Sequence, residues 1–135
     1  MKTVVAALIE SEGKLLVCQR KRDAAFGLMW EFPGGKAEAG ETAEQALARE
    51  LREELGVAVR VGPEIYRTRH KYPEMPDAIE LIFFACSVVR GEVKNLDFEQ
   101  IAWRERRDLP DMNFLAADRE LIARLAEGSL RLPAV

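Results

Sequence analysis

The sequence predicts an α+β protein, one domain over residues 1–135, and three observations carry that expectation. Two runs, Thr3 to Ile9 and Ala78 to Val89, are nearly continuous in apolar residues, as strands covered on both faces are. Two other segments carry apolar residues at helical spacing between start and stop signals. Strands interleaved with helices exclude an all-β architecture. A chain of 135 residues, 48% hydrophobic and 32% charged, suits a soluble globular domain with one core.

Thr3 to Ile9 reads as the first strand. Glu10-Ser11-Glu12-Gly13 turns the chain into a second strand, Lys14 to Gln19, making a hairpin. Arg20-Lys21-Arg22 follows, and residues 23 to 29 read as a loop. Val57 to Val61 alternates as a strand that Gly62-Pro63 is expected to break, with Ile65 to Thr68 extended beyond it. Tyr72 to Asp77, with two prolines, is a loop. Ala78 to Val89 is too apolar for an edge. Arg90-Gly91-Glu92 turns into a short extended piece, and Glu99 to Trp103 runs to the break at Asp108-Leu109-Pro110. A last helix spans Asp118 to Ala126, with Leu121, Ile122 and Leu125 inward and Gly128 after it. The residues beyond are expected to be loosely held.

The stretch Gly34 to Val57, GGKAEAGETAEQALARELREELGV, organises the chain. Thr42 is an N-cap with Gln45 three residues on, a capping box. Ala43, Leu47, Leu51 and Leu55 form an apolar stripe, and Gly56 is the C′ stop. Glu50, Glu53 and Glu54 share one face at i, i+3 and i+4. Like charges so placed oppose the helix by a few tenths of a kcal/mol, so a solvated, salt-bridged face competes with a hard-cation site as their explanation.

Spacing separates the two. From Gly35, five residues intervene before Glu41, seven more before Arg49-Glu50-Leu51, and Arg52-Glu53-Glu54-Leu55-Gly56-Val57 completes the run. This resembles the Nudix box, G-x5-E-x7-R-E-U-x-E-E-x-G-U with U aliphatic, at every specified position over residues 35–57. At average usage such a match arises by chance on the order of once in a billion starting points. The lead-in Trp30-Glu31-Phe32-Pro33 makes the resemblance closest to MutT-type Nudix hydrolases, which cleave nucleoside triphosphates to monophosphate and pyrophosphate.

The resemblance implies a mixed sheet sandwiched between helices, an α/β/α arrangement with the box as loop–helix–loop. It implies a small nucleotide substrate and magnesium, with manganese able to replace it. The charge arithmetic agrees, because the glutamate face repels a polyphosphate until divalent cations reverse its sign. The metal ligands implied are Glu50, Glu53 and Glu54, with a backbone carbonyl at Gly34 or Gly35, and Glu99 as a further carboxylate of the metal site. The base that activates water is left open between Glu50, Glu53 and Glu99. Arg49 would hold the glutamates, and Glu41 would anchor the loop. Substrate contacts are expected from Arg20, from Glu31, Phe32 and Pro33, and from a backbone anion cradle at Gly34-Gly35 beside Lys36. Arg20-Lys21-Arg22 also reads as a solvated strand end, and Glu99 as an exposed loop acid.

Base choice falls on Asp118, where 8-oxo-dGTP hydrolases of this type carry asparagine and some CTP or dCTP hydrolases carry aspartate. Ionised aspartate only accepts hydrogen bonds, and aspartate at this place also serves as a helix cap. Hydrolysis of 8-oxo-dGTP-like triphosphates in nucleotide-pool sanitation leads. A CTP or dCTP pyrophosphohydrolase, a hydrolase of another nucleoside diphosphate derivative, and a non-catalytic nucleotide-binding module follow. A net charge of −3 without a basic run argues against extended nucleic acid. No run approaches the roughly 18 apolar residues of a membrane span. Cys18 and Cys86, far apart in apolar stretches, read as buried thiols of a reducing cytoplasm. A monomer or homodimer is expected.

Overall fold

The computed structural model describes all residues, Met1–Val135. Strands β1 (Lys2–Ser11), β2 (Lys14–Gln19), β3 (Trp30–Glu31) and β4 (Gly34–Lys36) precede helix α1 (Ala43–Leu55). Strands β5 (Ala58–His70), β6 (Ile79–Arg90) and β7 (Gln100–Glu105) follow. Two 3₁₀ segments, Arg106–Asp111 and Ala116–Asp118, lead to helix α2 (Arg119–Glu127).

The sheet is mixed, in the order β3-β2-β1-β6-β5, with β4 added to β1 and β7 to β2. β1 runs parallel to β6 from Lys2↔Ile79 to Ile9↔Cys86 and antiparallel to β4, with Val5 opposite Gly35. Both faces of the sheet are covered. Val5, Ala7 and Ile9 pack with Ile82 and Phe84 under Leu47, Leu51 and Leu55 of α1. Ala6 and Leu8 pack with Leu81 and Phe83 on the other side under Leu121, Ile122 and Leu125 of α2. Successive side chains of a strand point to opposite faces, so a strand between two helix layers must be apolar throughout. The α+β sandwich read from the sequence is the architecture observed.

Several boundaries differ, each for a local reason. β1 extends to Ser11, and the hairpin turns on Glu12-Gly13 alone. Both have positive φ, 52° and 78°, the backbone a two-residue turn between twisted strands requires. Gly62-Pro63 does not end its strand, and β5 continues through it. The register shifts between Val61 and Glu64, and β5 is the sheet's edge, so a missing N–H there leaves no ladder partner stranded. Gly34–Lys36 is strand β4 rather than an open loop. The tail is not loose: Leu130 and Leu132 join the α2-side core, and Val135 occupies the space a Cβ on Gly62 would take.

Candidate active site

Helix α1 begins as its sequence dictates. Thr42 Oγ accepts from Gln45 N–H at 3.1 Å, and Gln45 Oε1 accepts from Thr42 N–H at 2.9 Å. Gly56 closes the helix with φ 70°. The caps fix the helix ends, and the buried stripe fixes its rotation, so the glutamates face the end of β4.

Arg49 ties this surface together. Its guanidinium reaches Glu41 at 2.7 and 3.0 Å, Glu50 at 3.0 Å, Glu53 at 3.4 Å and the Lys36 carbonyl at 3.1 Å. Glu41 in turn accepts from Glu38 N–H at 2.8 Å. Its hydrogen bonds with Arg49, and that from Glu38, hold its carboxyl below the usual carboxylate range. The glutamates differ in exposure. The Glu53 side chain is 59% exposed and that of Glu50 only 16%. Burial raises the pKa of Glu50, and Arg49 only partly opposes it.

Glu54 is the unusual member. It is buried beneath β4, and its one hydrogen-bond partner is Gly34 N–H at 3.0 Å. Burial first, then the charges of Glu50 and Glu31, push its pKa up to about 9, so it carries a proton at neutral pH. The two glycines make this packing possible. A Cβ at Gly34 would stand 1.9 Å from the Val5 carbonyl oxygen, and one at Gly35 would lie 2.5–2.7 Å from the Glu50 carboxylate. The expected backbone anion cradle is therefore not open: Gly34 N–H already holds Glu54, and Gly35 and Lys36 pair with Val5 and Val4.

A cavity of about 430 Å³ opens beside Glu54, within the range of small-ligand sites. Arg20, Glu31, Phe32, Gly34, Gly35, Lys36 and Asp118 all border it; Pro33, Glu50, Glu53 and Glu99 do not. Pro33 is buried, and its carbonyl accepts from Ala7 N–H at 2.9 Å, a structural contact. Phe32 packs edge-on to Phe83 and against Phe114, so it also belongs to the α2-side core. Arg20 is engaged within the protein. Its Nε donates to the Ala25 carbonyl at 2.7 Å, and Nη1 meets both oxygens of Glu31 at 3.1 Å. Burial nonetheless raises Glu31, the attraction of Arg20 opposing it.

Asp118 reaches the cavity because the chain before it is stitched to the lead-in. Trp30 N–H donates to the Asn113 carbonyl at 2.8 Å, and Leu115 N–H to the Trp30 carbonyl at 3.0 Å. Asp118 is 3% exposed and makes no capping bond. Desolvation, reinforced by Glu31, drives its pKa well above the ordinary value. Ionised aspartate only accepts; burial favours the protonated form, which both donates and accepts, as asparagine does.

Glu99 is drawn away from this cluster. Its carboxylate pairs with Arg22 Nη2 at 2.9 Å, and the Arg22 backbone N–H also donates to it; both bonds lower its pKa. Asp97 faces the cavity instead and adds negative charge at Glu31, Glu50 and Glu54. The sequence reading missed it. Its signal is Asn95, whose side chain accepts from Phe98 N–H at 2.8 Å and donates to the Phe98 carbonyl at 2.9 Å. This local turn brings Asp97, itself exposed, to the border of the cavity and Glu99 to the start of β7. Phe26 and Tyr72, from the loops at residues 23 to 29 and Tyr72 to Asp77, both form walls of the cavity.

The carboxylates suit a hard divalent cation by their chemistry. They are oxygen donors only, and the most buried of them has a single N–H and no cation against it. No three of them stand in ligating geometry together, since Arg49 holds Glu50 and Gly34 holds Glu54.

A mixed sheet between helices, with a capped glutamate helix at one end of a nucleotide-sized cavity, defines a hydrolase of phosphate anhydrides in outline. The NUDIX domain model matches residues 1–125, and the chain belongs to the Nudix hydrolase family. Enzymes of this family generally use a divalent metal and act on small nucleotides. The chain is 38% identical to an 8-oxo-dGTP diphosphatase of Haemophilus influenzae, over 90% of this chain and 89% of that protein. It is 53% identical to a CTP pyrophosphohydrolase of Escherichia coli, over 76% of this chain and 75% of the other. The solution structure of the E. coli ORF135 protein superposes with a TM-score of 0.78 at 31% identity, covering 100% of this chain and 95% of that one. No helix is long and apolar enough to cross a membrane.

Proposed function

We propose that residues 1–135 act as one domain that hydrolyses (deoxy)nucleoside triphosphates to the monophosphate and pyrophosphate with magnesium, or manganese in its place. The observation that carries this reading is the lining of the cavity. Glu54, the buried glutamate of α1, borders it together with apolar side chains and the polar groups of Tyr72 and Asp118. That is the chemistry of a polyphosphate joined to a base.

When bound, the divalent cation would neutralise phosphate charge and lower the pKa of water. Glu50, Glu53 and Glu54 would hold it, with a carbonyl of Gly34 or Gly35. Glu54 would lose its proton to serve there, and the carboxylates would have to draw together, since no three stand in ligating geometry. Arg49 holds Glu50 and Glu53 near that place and is itself held by Glu41. We assign to Asp97 the position expected of Glu99; in support, Asp97 borders the cavity whereas Glu99 is paired with Arg22. A carboxylate of this set accepts the proton of the attacking water. The new bond forms at the β-phosphorus, and the bond to the bridging oxygen of the α-phosphate breaks. Hydrolysis in oxygen-18 water should therefore label pyrophosphate and leave the monophosphate unlabelled; label in the monophosphate refutes the assignment.

Two base classes are favoured by separate observations. An 8-oxopurine triphosphate suits an Asp118 that donates and accepts, and pool sanitation is the role that follows. A cytidine triphosphate is favoured by the identity of 53% to the CTP pyrophosphohydrolase. Pyrophosphate release across a panel containing 8-oxo-dGTP, dGTP, dCTP and CTP, with magnesium and with chelator, decides between them. Activity undiminished by chelator removes the metal-dependent mechanism.

A further inference from the structure

The N-terminal end of a helix leaves backbone N–H groups without partners inside the helix. At the 3₁₀ turn that leads into α2, one of these belongs to Ala117, which is buried. Its donor is not satisfied by Asp118, whose side chain makes no capping bond, nor by any backbone carbonyl. It goes to Tyr72 Oη at 3.1 Å, across 45 positions of sequence. A capping aspartate at 118 would serve N–H groups two or three residues beyond it, so the Ala117 donor rests on Tyr72. Asp118, the next residue, makes no capping bond and borders the cavity.

The Tyr72 ring is held so that this oxygen stays in place. Phe26 packs on it at 4.8 Å between centroids, and His70 meets it edge-on at 4.4 Å. Lys71 Nζ donates to the Tyr72 carbonyl at 2.9 Å and also to the Met75 carbonyl, and Met75 N–H donates to the Tyr72 carbonyl at 3.0 Å. The loop before β6 is therefore wound around the residue whose hydroxyl caps the other loop. The hydroxyl's own proton has no acceptor in the protein, and the residue borders the cavity beside Asp118.

We infer that Tyr72 is a positioning residue for base recognition: its hydroxyl anchors the Ala117 amide and so fixes the turn that holds Asp118 beside the nucleobase. The inference rests on Asp118 reading the base. Without the hydroxyl, Ala117 N–H is buried and unpaired, and the turn shifts to satisfy it. Asp118, the next residue, moves with the turn, and discrimination falls.

The test uses the full-length enzyme with magnesium. Tyr72→Phe keeps the ring and its packing while removing the oxygen. The ratio of kcat/KM between the preferred nucleotide and the poorest of 8-oxo-dGTP and dCTP should fall by about tenfold, with the loss mainly in KM. Exchange of the Ala117 amide proton should quicken by about tenfold or more. In an Asp118→Ala background the same substitution should change the ratio by less than about twofold, because the residue being positioned is gone. A lower Tm in Tyr72→Phe with the ratio and the Ala117 protection of the wild type overturns the positioning role. Asp118→Ala with a wild-type ratio refutes the base reading itself. An altered ratio in Asp118→Ala beside an unaltered one in Tyr72→Phe refutes the role of Tyr72 alone.

Discussion

The carboxylate end of the cavity and its apolar end are built by opposite means. At the first, Glu41, Arg49, Glu50, Glu53 and Glu54 lie within fourteen consecutive positions, and helical geometry alone brings most of them together. At the second, Phe26, Tyr72, Leu115 and Asp118 come from three separate loops, joined by hydrogen bonds such as Trp30 to Asn113 and Tyr72 to Ala117. The first end is charged and its ion pairs are explicit. The second is desolvated, and burial raises the pKa of Asp118 within it. A local motif can carry the chemistry that all substrates share, whereas the part that distinguishes substrates is assembled from segments free to vary separately.

The largest effects should lie at the carboxylate end. Glu53→Gln, Glu54→Gln and Asp97→Asn should each lower kcat by about two to four orders of magnitude with the fold retained by circular dichroism. Glu99→Gln should cost less than about threefold, because an exposed ion pair with Arg22 contributes little. If Glu99→Gln proves as damaging as Asp97→Asn, the assignment of Asp97 is wrong.

Gly35→Ala gives a smaller loss at the same end. The added methyl meets the Glu50 carboxylate and must displace it. Steady-state assays should show a loss of about 10–100-fold in activity, as for other supports of metal ligands, partly recovered at higher magnesium. A variant with wild-type magnesium dependence would show that Glu50 can move without consequence.

The apolar end responds to pH in a way the other does not. As pH rises through the elevated pKa of Asp118, its carboxyl loses the donor, so wild-type discrimination between 8-oxo-dGTP and dCTP should drift. In Asp118→Asn the ratio should match the low-pH wild type and stay flat. Two parallel pH profiles would remove protonation from base recognition.

The smallest effect is on stability, and its sign differs between neighbours. Glu54 has a folded pKa of about 9, above the value of about 4.3 for an unfolded glutamate. Its contribution is fullest below the unfolded value and is lost as pH rises towards 9. Glu41 is the reverse: its folded pKa is depressed by Arg49, so its stabilisation is present above the unfolded value and lost on acidification. Without divalent metal, Tm should therefore decline from pH 6 to pH 8.5, and Glu54→Gln should flatten that decline. A rising Tm over this interval would contradict a protonated Glu54.

By itself the sequence determined the α+β class, the capped helix and the identity of the box, and the resemblance carried by the box implied the mixed-sheet sandwich. The first three depend on short-range pattern: continuous apolar runs in β1 and β6, an i, i+4 stripe in α1, and the spacing of the box with Thr42 three residues from Gln45. Tertiary structure decided what depends on distance and solvent. Glu50, Glu53 and Glu54 are alike in the sequence, yet only Glu54 is sealed under Gly34 and holds a proton. Glu99 and Asp97 are two residues apart, and the turn at Asn95 selects which of them meets the cavity. Gly62-Pro63 breaks a strand in isolation but not at a bulged sheet edge. Asp118 is a helix cap by local rules, yet its side chain makes no capping bond and borders the cavity, in a turn that the hydroxyl of Tyr72 anchors from 46 residues earlier. Burial and long-range partners set protonation and aim, and neither is written in the spacing of neighbours.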